Sequence, residues 1–98
     1  MIRAIRASAD RFVPLSKLDT RTYNAEEKRM IVAYMNSQEP FAAGGTVFDR
    51  KINQKIEIED IGYNDGEYVW SSQDIYDISH YNAAVTDDFI EHVKTKTQ

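Results

Sequence analysis

The sequence predicts an α+β fold, in which a small antiparallel sheet with a central β-hairpin packs against about three helices. Three signals indicate this class: a capped apolar segment in the first half, a hairpin turn after it, and two capped helical segments at the end. At 98 residues and 42% apolar content the chain can bury one hydrophobic core, so we expect a single domain over 1–98. The chain has no cysteine, which excludes disulfides and thiolate metal sites.

An irregular segment is expected at the N-terminus, over residues 1–23. Residues 2–7 alternate without a clean apolar face, and we assign them to a short strand. Pro14 disfavours a helical conformation at Val13, so the rest of this segment is predicted to be a loop.

The first helix is predicted over 25–37. Asn24 is a good N-cap, and Glu27 follows three residues later, where its side chain can reach back to the cap. The run over 30–35 is apolar on all sides, which indicates that this part of the helix lies deep in the core. Pro40 follows the end of the helix.

Two strand signals follow the first helix. The glycines at 44–45 interrupt the chain, and the residues after them are β-branched and aromatic, so a strand is predicted to begin at Thr46. The Asn-Gln pair at 53–54 can close a turn. Ile56 and Ile58 then alternate with glutamates, which is typical of a half-buried strand.

The strongest local signal is the sequence YNDGE over 63–67. Asn, Asp and Gly tolerate the positive φ that tight turns require, and aromatic or β-branched residues flank them. We therefore predict a hairpin that pairs residues 56–63 with 67–71. Tyr63 and Tyr68 are expected to face each other across the two strands.

Two short helices are predicted to end the chain. Ser71 or Ser72 caps the first, which runs to about Tyr81 and ends at Asn82, a residue type that adopts the left-handed conformation. Its apolar stripe consists of Ile75, Ile78 and Tyr81. Thr86 caps the second helix, where two aspartates in the first turn and two lysines near the end suit the helix dipole. Val85 and Ile90 are placed to form a hydrophobic staple across this cap.

Charge is distributed unevenly along the chain. Residues 1–51 hold nine basic and six acidic side chains, for +3, and residues 52–98 hold three and ten, for −7. The tract 56–93 has no Lys or Arg. Its acids are Glu57, Glu59, Asp60, Asp65, Glu67, Asp74, Asp77, Asp87, Asp88 and Glu91, and its aromatics are Tyr63, Tyr68, Trp70, Tyr76, Tyr81 and Phe89. This tract is either an ordinary solvated face or an acidic recognition surface.

The aromatic residues of the tract divide between core and surface. Trp70 is assigned to the core, because large aromatics dominate small cores. Tyr63, Tyr68 and Tyr76 lie in acidic surroundings and are expected to keep their hydroxyls in solvent. Tyr81, on the apolar stripe, is expected to be buried.

We found no signature of catalysis, of a cofactor or of a metal site, so no catalytic residue, metal ligand or cofactor is assigned. Asp77 and His80 are three residues apart, and Asp88 and His92 are four apart, so each pair can touch on its helix. If the two helices pack antiparallel, the pairs converge. A small enzyme or metal-binding protein that uses His80 and His92 is therefore the third hypothesis.

The first hypothesis is a non-enzymatic binding module for a basic protein, of the immunity or inhibitor type, that occludes its partner. The candidate partner-binding residues are Asp65, Glu67, Tyr68, Asp74, Tyr76 and Asp77. This hypothesis requires the negative groups to lie together on the surface instead of pairing with arginines near the start of the chain.

The alternative is a self-assembling protein, in which the +3 half of one copy meets the −7 half of the next, head to tail. Assembly driven by charge would dissociate as salt screens it. A net charge of −4 argues against nucleic acid and anionic membrane as partners. A cytoplasmic location is expected, since no secretory signal and no membrane span is evident.

Overall fold

The fold consists of three helices and a four-stranded mixed sheet within residues 2–6 and 13–97, the part of the chain that the computed structural model describes. The strands are β1 (Arg3–Ala4), β2 (Pro40–Asp49), β3 (Gln54–Asn64) and β4 (Tyr68–Ser71), and the helices are α1 (Ala25–Asn36), α2 (Ser72–Tyr81) and α3 (Asp87–Thr97). The predicted α+β class is confirmed. No described helix has the length and apolar character needed to cross a bilayer.

The sheet has the strand order β1-β4-β3-β2. Its β2–β3 and β3–β4 pairs are antiparallel, but β1 pairs with β4 in parallel, so the sheet is not purely antiparallel as predicted. The predicted strand over 2–7 is shortened to Arg3–Ala4, and its residue 7 lies outside the described residues. Both β1 and β2 are edge strands.

The β3–β4 hairpin is confirmed, with a shifted register. The N–H of Asp65 donates to the carbonyl of Tyr68 at 3.2 Å, and Gly66 between them has φ 96°. This closing pair sets Tyr63 opposite Trp70, so the predicted Tyr63–Tyr68 pair is wrong. The rings of Tyr63 and Trp70 stack at 6.5 Å instead.

Strand β2 is longer than predicted. It begins at Pro40, not at Thr46, and runs through the glycines at 44–45. The register to β3 shifts on both sides of these glycines, and Gly45 has φ 74°, a conformation that favours glycine. The glycines therefore form a bulge inside an edge strand instead of ending it. The predicted turn before β3 is present, with Asn53 at φ 59°.

Helix α1 is capped as predicted but is less buried than predicted. The N–H of Glu27 donates to the Asn24 side chain at 2.7 Å. Of the apolar run, Ile31, Tyr34 and Met35 are buried, whereas Ala33 is exposed. The expectation of burial on all sides is wrong, because α1 packs against α2 and α3 with one face only.

The last two helices begin and end where local signals placed them. The N–H of Ser71 donates to Asp74 at 2.9 Å, and Asn82 ends α2 with φ 57°. Thr86 accepts from the N–H of Phe89 at 3.2 Å, while Val85 and Ile90 on either side of the cap are buried. These caps are confirmed.

The core lies between β4 and the helices. Trp70 is buried as predicted, and its indole N–H donates to the Met35 carbonyl at 3.2 Å. Its ring also packs against Phe89, with the centroids 5.6 Å apart. The cluster further includes Ile5, which follows β1, so even the short first strand is anchored by apolar burial.

Candidate functional site

The acidic helix α2 is neutralised by arginines from two other parts of the chain. The Asp77 carboxylate lies 2.7 Å from Arg6 Nη2 and 2.8 Å from Arg50 Nη2, and Asp74 lies 3.0 Å from Arg6 Nε. The side chain of Asp77 is fully buried, and those of Arg6 and Arg50 are 8% and 1% exposed. Burial raises the pKa of Asp74 even though the Arg6 charge lowers it. These groups therefore form a buried ion cluster.

Other acids of the tract pair with basic residues before and after it. These pairs are Asp87–Arg21 at 2.9 Å, Asp88–Arg3 at 3.8 Å, Glu67–Lys96 at 3.8 Å and Glu91–Lys94 at 3.7 Å. The requirement that the negative groups remain together and unpaired is not met. The uneven charge along the sequence is largely balanced within the fold.

Two of the six candidate partner-binding residues are in the interior. Tyr68 is 1% exposed and packs edge-on against Phe89 at 5.1 Å, with the Arg3 guanidinium 4.6 Å above its ring. Its hydroxyl is buried without a hydrogen-bond partner in the described structure, so the expectation of a solvent-facing hydroxyl is wrong. Asp77 is equally inaccessible, and neither residue can meet a partner at this surface.

Asp65 and Glu67 occupy the β3–β4 turn with different exposure. The Asp65 side chain is 3% exposed and accepts from the backbone N–H groups of Glu67 at 2.9 Å and Tyr68 at 2.8 Å. Its other oxygen accepts from the Tyr34 hydroxyl at 2.5 Å and lies 2.6 Å from His92 Nε2. Glu67 is 55% exposed and stays on the surface. Asp65 thus joins the turn to α1 and α3.

Hydrogen bonds determine the charge state of Asp65. Burial raises its pKa, but the bonds from Tyr34, from the backbone N–H groups and from His92 outweigh burial and lower the pKa from 3.8 to about 2. The lowered pKa means that the folded state holds the ionised carboxylate more strongly than the unfolded state does.

We expect the free energy of unfolding to fall as the pH drops from 3.8 towards 2, the ordinary and lowered pKa values of Asp65. Above this range its contribution is complete, and it is lost as the folded-state carboxylate becomes protonated. Urea denaturation at a series of pH values measures this, and Asp65→Asn should flatten the dependence. If the free energy of unfolding of Asp65→Asn falls with pH as steeply as that of the wild type, the Asp65 carboxylate does not have this role.

The two predicted histidine pairs do not form. Asp77 pairs with arginines instead of with His80, and His92 contacts Asp65 and Glu67 of the turn instead of Asp88 on its own helix. His80 is exposed and stacks on Tyr76, with the ring centroids 4.1 Å apart. The residues in 2–6 and 13–97 contain no group of three His, Asp or Glu side chains that could hold a metal ion.

Tyr76 is another of the six candidates, and a hydrogen bond to the Asp49 carboxylate fixes the position of its ring. Its hydroxyl donates to Asp49 Oδ2, and the Tyr81 hydroxyl donates to Asp49 Oδ1 at 2.8 Å. This bond to Asp49, together with burial, raises the pKa of Tyr76 above 10.0, so the hydroxyl remains a donor. The expected solvent-facing hydroxyl of Tyr76 is thus wrong, and Tyr81 is half-buried instead of buried.

The ring of Tyr76 lines an open groove between β3 and α2. This β3–α2 groove has a volume of about 230 Å³ and is lined by Asn36, Ile58, Ser72, Ile75, Tyr76, Ser79 and His80. Its β3 wall is Ile58, which is 45% exposed. Exposed apolar and aromatic groups meet in this groove outside the core.

Sequence reasoning assigned Ile75 to the buried stripe and did not identify this groove. The signal was present, because positions 72, 75, 76, 79 and 80 follow the helical spacing and form the half-exposed face of α2, on which Ile75 also packs against the core. The buried residues of α2 are Gln73, Asp77 and Ile78, of which only Ile78 belongs to the predicted stripe. A periodic pattern does not reveal which stripe of a short helix faces the core when both carry polar and apolar residues.

Comparison of this chain with protein-family models, with curated proteins and with solved structures gave no match.

Proposed function

We infer that this chain is a small, non-enzymatic protein-binding module that recognises its partner through the β3–α2 groove. The observation that carries this proposal is the exposed Ile58 side chain beside the fixed ring of Tyr76. Interfaces concentrate their binding energy in a few aromatic and apolar anchors, surrounded by polar groups that exclude water. The serines, Asn36 and His80 supply such a polar rim here.

Preorganisation of the groove supports this assignment. Asp49 accepts from the backbone N–H groups of Lys51 at 2.8 Å and Ile52 at 3.2 Å, so the carboxylate that holds Tyr76 is itself fixed. His80 also stacks on the Tyr76 ring. A ring that is already ordered loses little conformational entropy when a partner binds.

A basic protein is the partner class that fits the charge of the molecule. The net charge of −4 attracts a positive partner over long range, although most acids of the tract are paired within the fold. Contact energy then comes from the groove, while the net charge accelerates association. The module acts by occlusion, because a partner seated on the groove has that part of its own surface covered.

We expect Ile58→Asp to abolish capture of the partner from an extract of the source cells. The substitution places a carboxylate where the apolar wall of the groove should be desolvated, which costs several kcal/mol at an interface centre. The matched control is Ile52→Asp. Ile52 is 55% exposed, lies in the turn between β2 and β3, and does not line the groove.

Capture is compared by mass spectrometry, and the affinity of the purified complex is then measured across a salt series. A partner retained by Ile52→Asp and lost by Ile58→Asp supports the groove. Equal retention by both variants would rule out the groove as the binding site, and binding that strengthens with salt would rule out a basic partner.

A further inference from the structure

Strand β2 leaves a long edge of the sheet open. It is the last strand of the order β1-β4-β3-β2, and its first six residues, 40–45, are all exposed. Phe41 on this strand is 59% exposed. No charged residue occurs from Pro40 to Phe48. Natural edge strands are protected by charged side chains, prolines or bulges; β2 has Pro40 at its start and the bulge at 44–45 but no charged side chain, so its other unpaired backbone groups can accept a strand.

One end of this edge is already closed by a side chain. The Gln73 amide accepts from the N–H of Phe48 at 2.7 Å and donates to the Phe48 carbonyl at 2.9 Å. These are the two hydrogen bonds that one residue of a neighbouring strand would make. The outward backbone groups of residues 40–47 have no such partner within the described chain.

Charges at the two ends of β2 are complementary. Glu39 precedes the strand, Lys51 follows its other end, and Lys55 lies on β3 opposite Phe48 near that end; all three are exposed. None of the three forms an ion pair with a residue in 2–6 or 13–97. An antiparallel copy of the strand would bring the acidic end of one chain towards the basic end of the other.

We propose that a second copy of this chain covers the β2 edge, with the two β2 strands antiparallel across a two-fold axis. The pairing joins two four-stranded sheets into one, covers the edge of both copies and closes the assembly at two chains. Backbone hydrogen bonds hold it, and the complementary ends select the antiparallel direction. The proposal is independent of the β3–α2 groove.

The test is the mass of the purified protein by sedimentation equilibrium over a wide range of concentration, together with hydrogen exchange. We expect a monomer–dimer equilibrium in which the amides of residues 40–47 gain protection as the concentration rises. Ala42→Lys should raise the dimer dissociation constant about tenfold, since like charges on paired strands repel. Ala33→Lys on the exposed side of α1 is the matched control and should leave it unchanged.

Several results would overturn the proposal: a monomer at every concentration, a dimer that Ala42→Lys does not weaken, or a dimer without added protection over 40–47. Open-ended assemblies that dissociate in high salt would instead indicate the head-to-tail pairing of the +3 and −7 halves. Loss of partner capture by Ile58→Asp says nothing about this edge, so the two proposals fail separately.

Discussion

Asp77→Ala is expected to lower the free energy of unfolding by about 3–5 kcal/mol, because it leaves the buried charge of Arg50 without a counter-ion, while Arg6 keeps only Asp74. Arg6 and Arg50 both contact the same carboxylate oxygen, and their side chains are 8% and 1% exposed. For a domain whose whole stability is about 5–10 kcal/mol, this is a large fraction.

Urea denaturation of the wild type, of Asp77→Ala and of Asp87→Ala measures this effect. Asp87 is the matched control, since it also pairs with an arginine, Arg21 at 2.9 Å, but its side chain is 89% exposed. An exposed pair contributes about 0–1 kcal/mol. Similar losses in the two variants would show that the buried ion cluster has no special role in stability.

Asp65→Ala should lower the free energy of unfolding by about 3 kcal/mol, since several hydrogen-bond donors lose their shared acceptor at the same time. The substitution removes the bonds from the Glu67 and Tyr68 N–H groups, and it leaves the hydroxyl of Tyr34 and the ring of His92 without their common carboxylate. The contacts that connect the turn to α1 and α3 are lost together.

Asn64→Ala is the control within the same turn. Asn64 also accepts from the backbone, from the Gly66 N–H at 2.6 Å, but this bond is exposed and joins no helix. Thermal or urea unfolding should therefore show a loss of about 0.5–1.5 kcal/mol, typical of one hydrogen bond. If Asn64→Ala lowers the free energy of unfolding as much as Asp65→Ala does, Asp65 stabilises only the turn, and its contacts with α1 and α3 contribute little.

Helix boundaries and the hairpin were predictable because their signals act over a few residues. The Asn24 and Thr86 side chains each accept from a backbone N–H three residues on, and Asn82 adopts a positive φ that its own type favours. The predictions failed where the structure depends on the register of two strands or on long-range packing. Tyr63 pairs with Trp70, two positions beyond the expected Tyr68, so its neighbour across the hairpin is a different residue.

The candidate surface was much less predictable than the fold. Acidic and aromatic residues of the tract indicated a recognition face, but the tract contains core residues such as Tyr68 beside surface residues such as Glu67. Only Tyr76 among the six candidates contributes to the β3–α2 groove. Its neighbour Ile58 belongs to a different element, and pattern analysis of either segment alone cannot bring the two together.

Composition and local patterning were sufficient for the class of fold, the absence of thiol chemistry, the three helices and the central turn. Long-range packing decided which charges are paired: Arg6 reaches Asp77 across 71 positions of the chain. Capping and turn preferences depend on backbone groups close by in the chain, so the primary structure records them. The pairing of distant charges depends on which faces of the elements are packed together, and that arrangement exists only once the chain has folded.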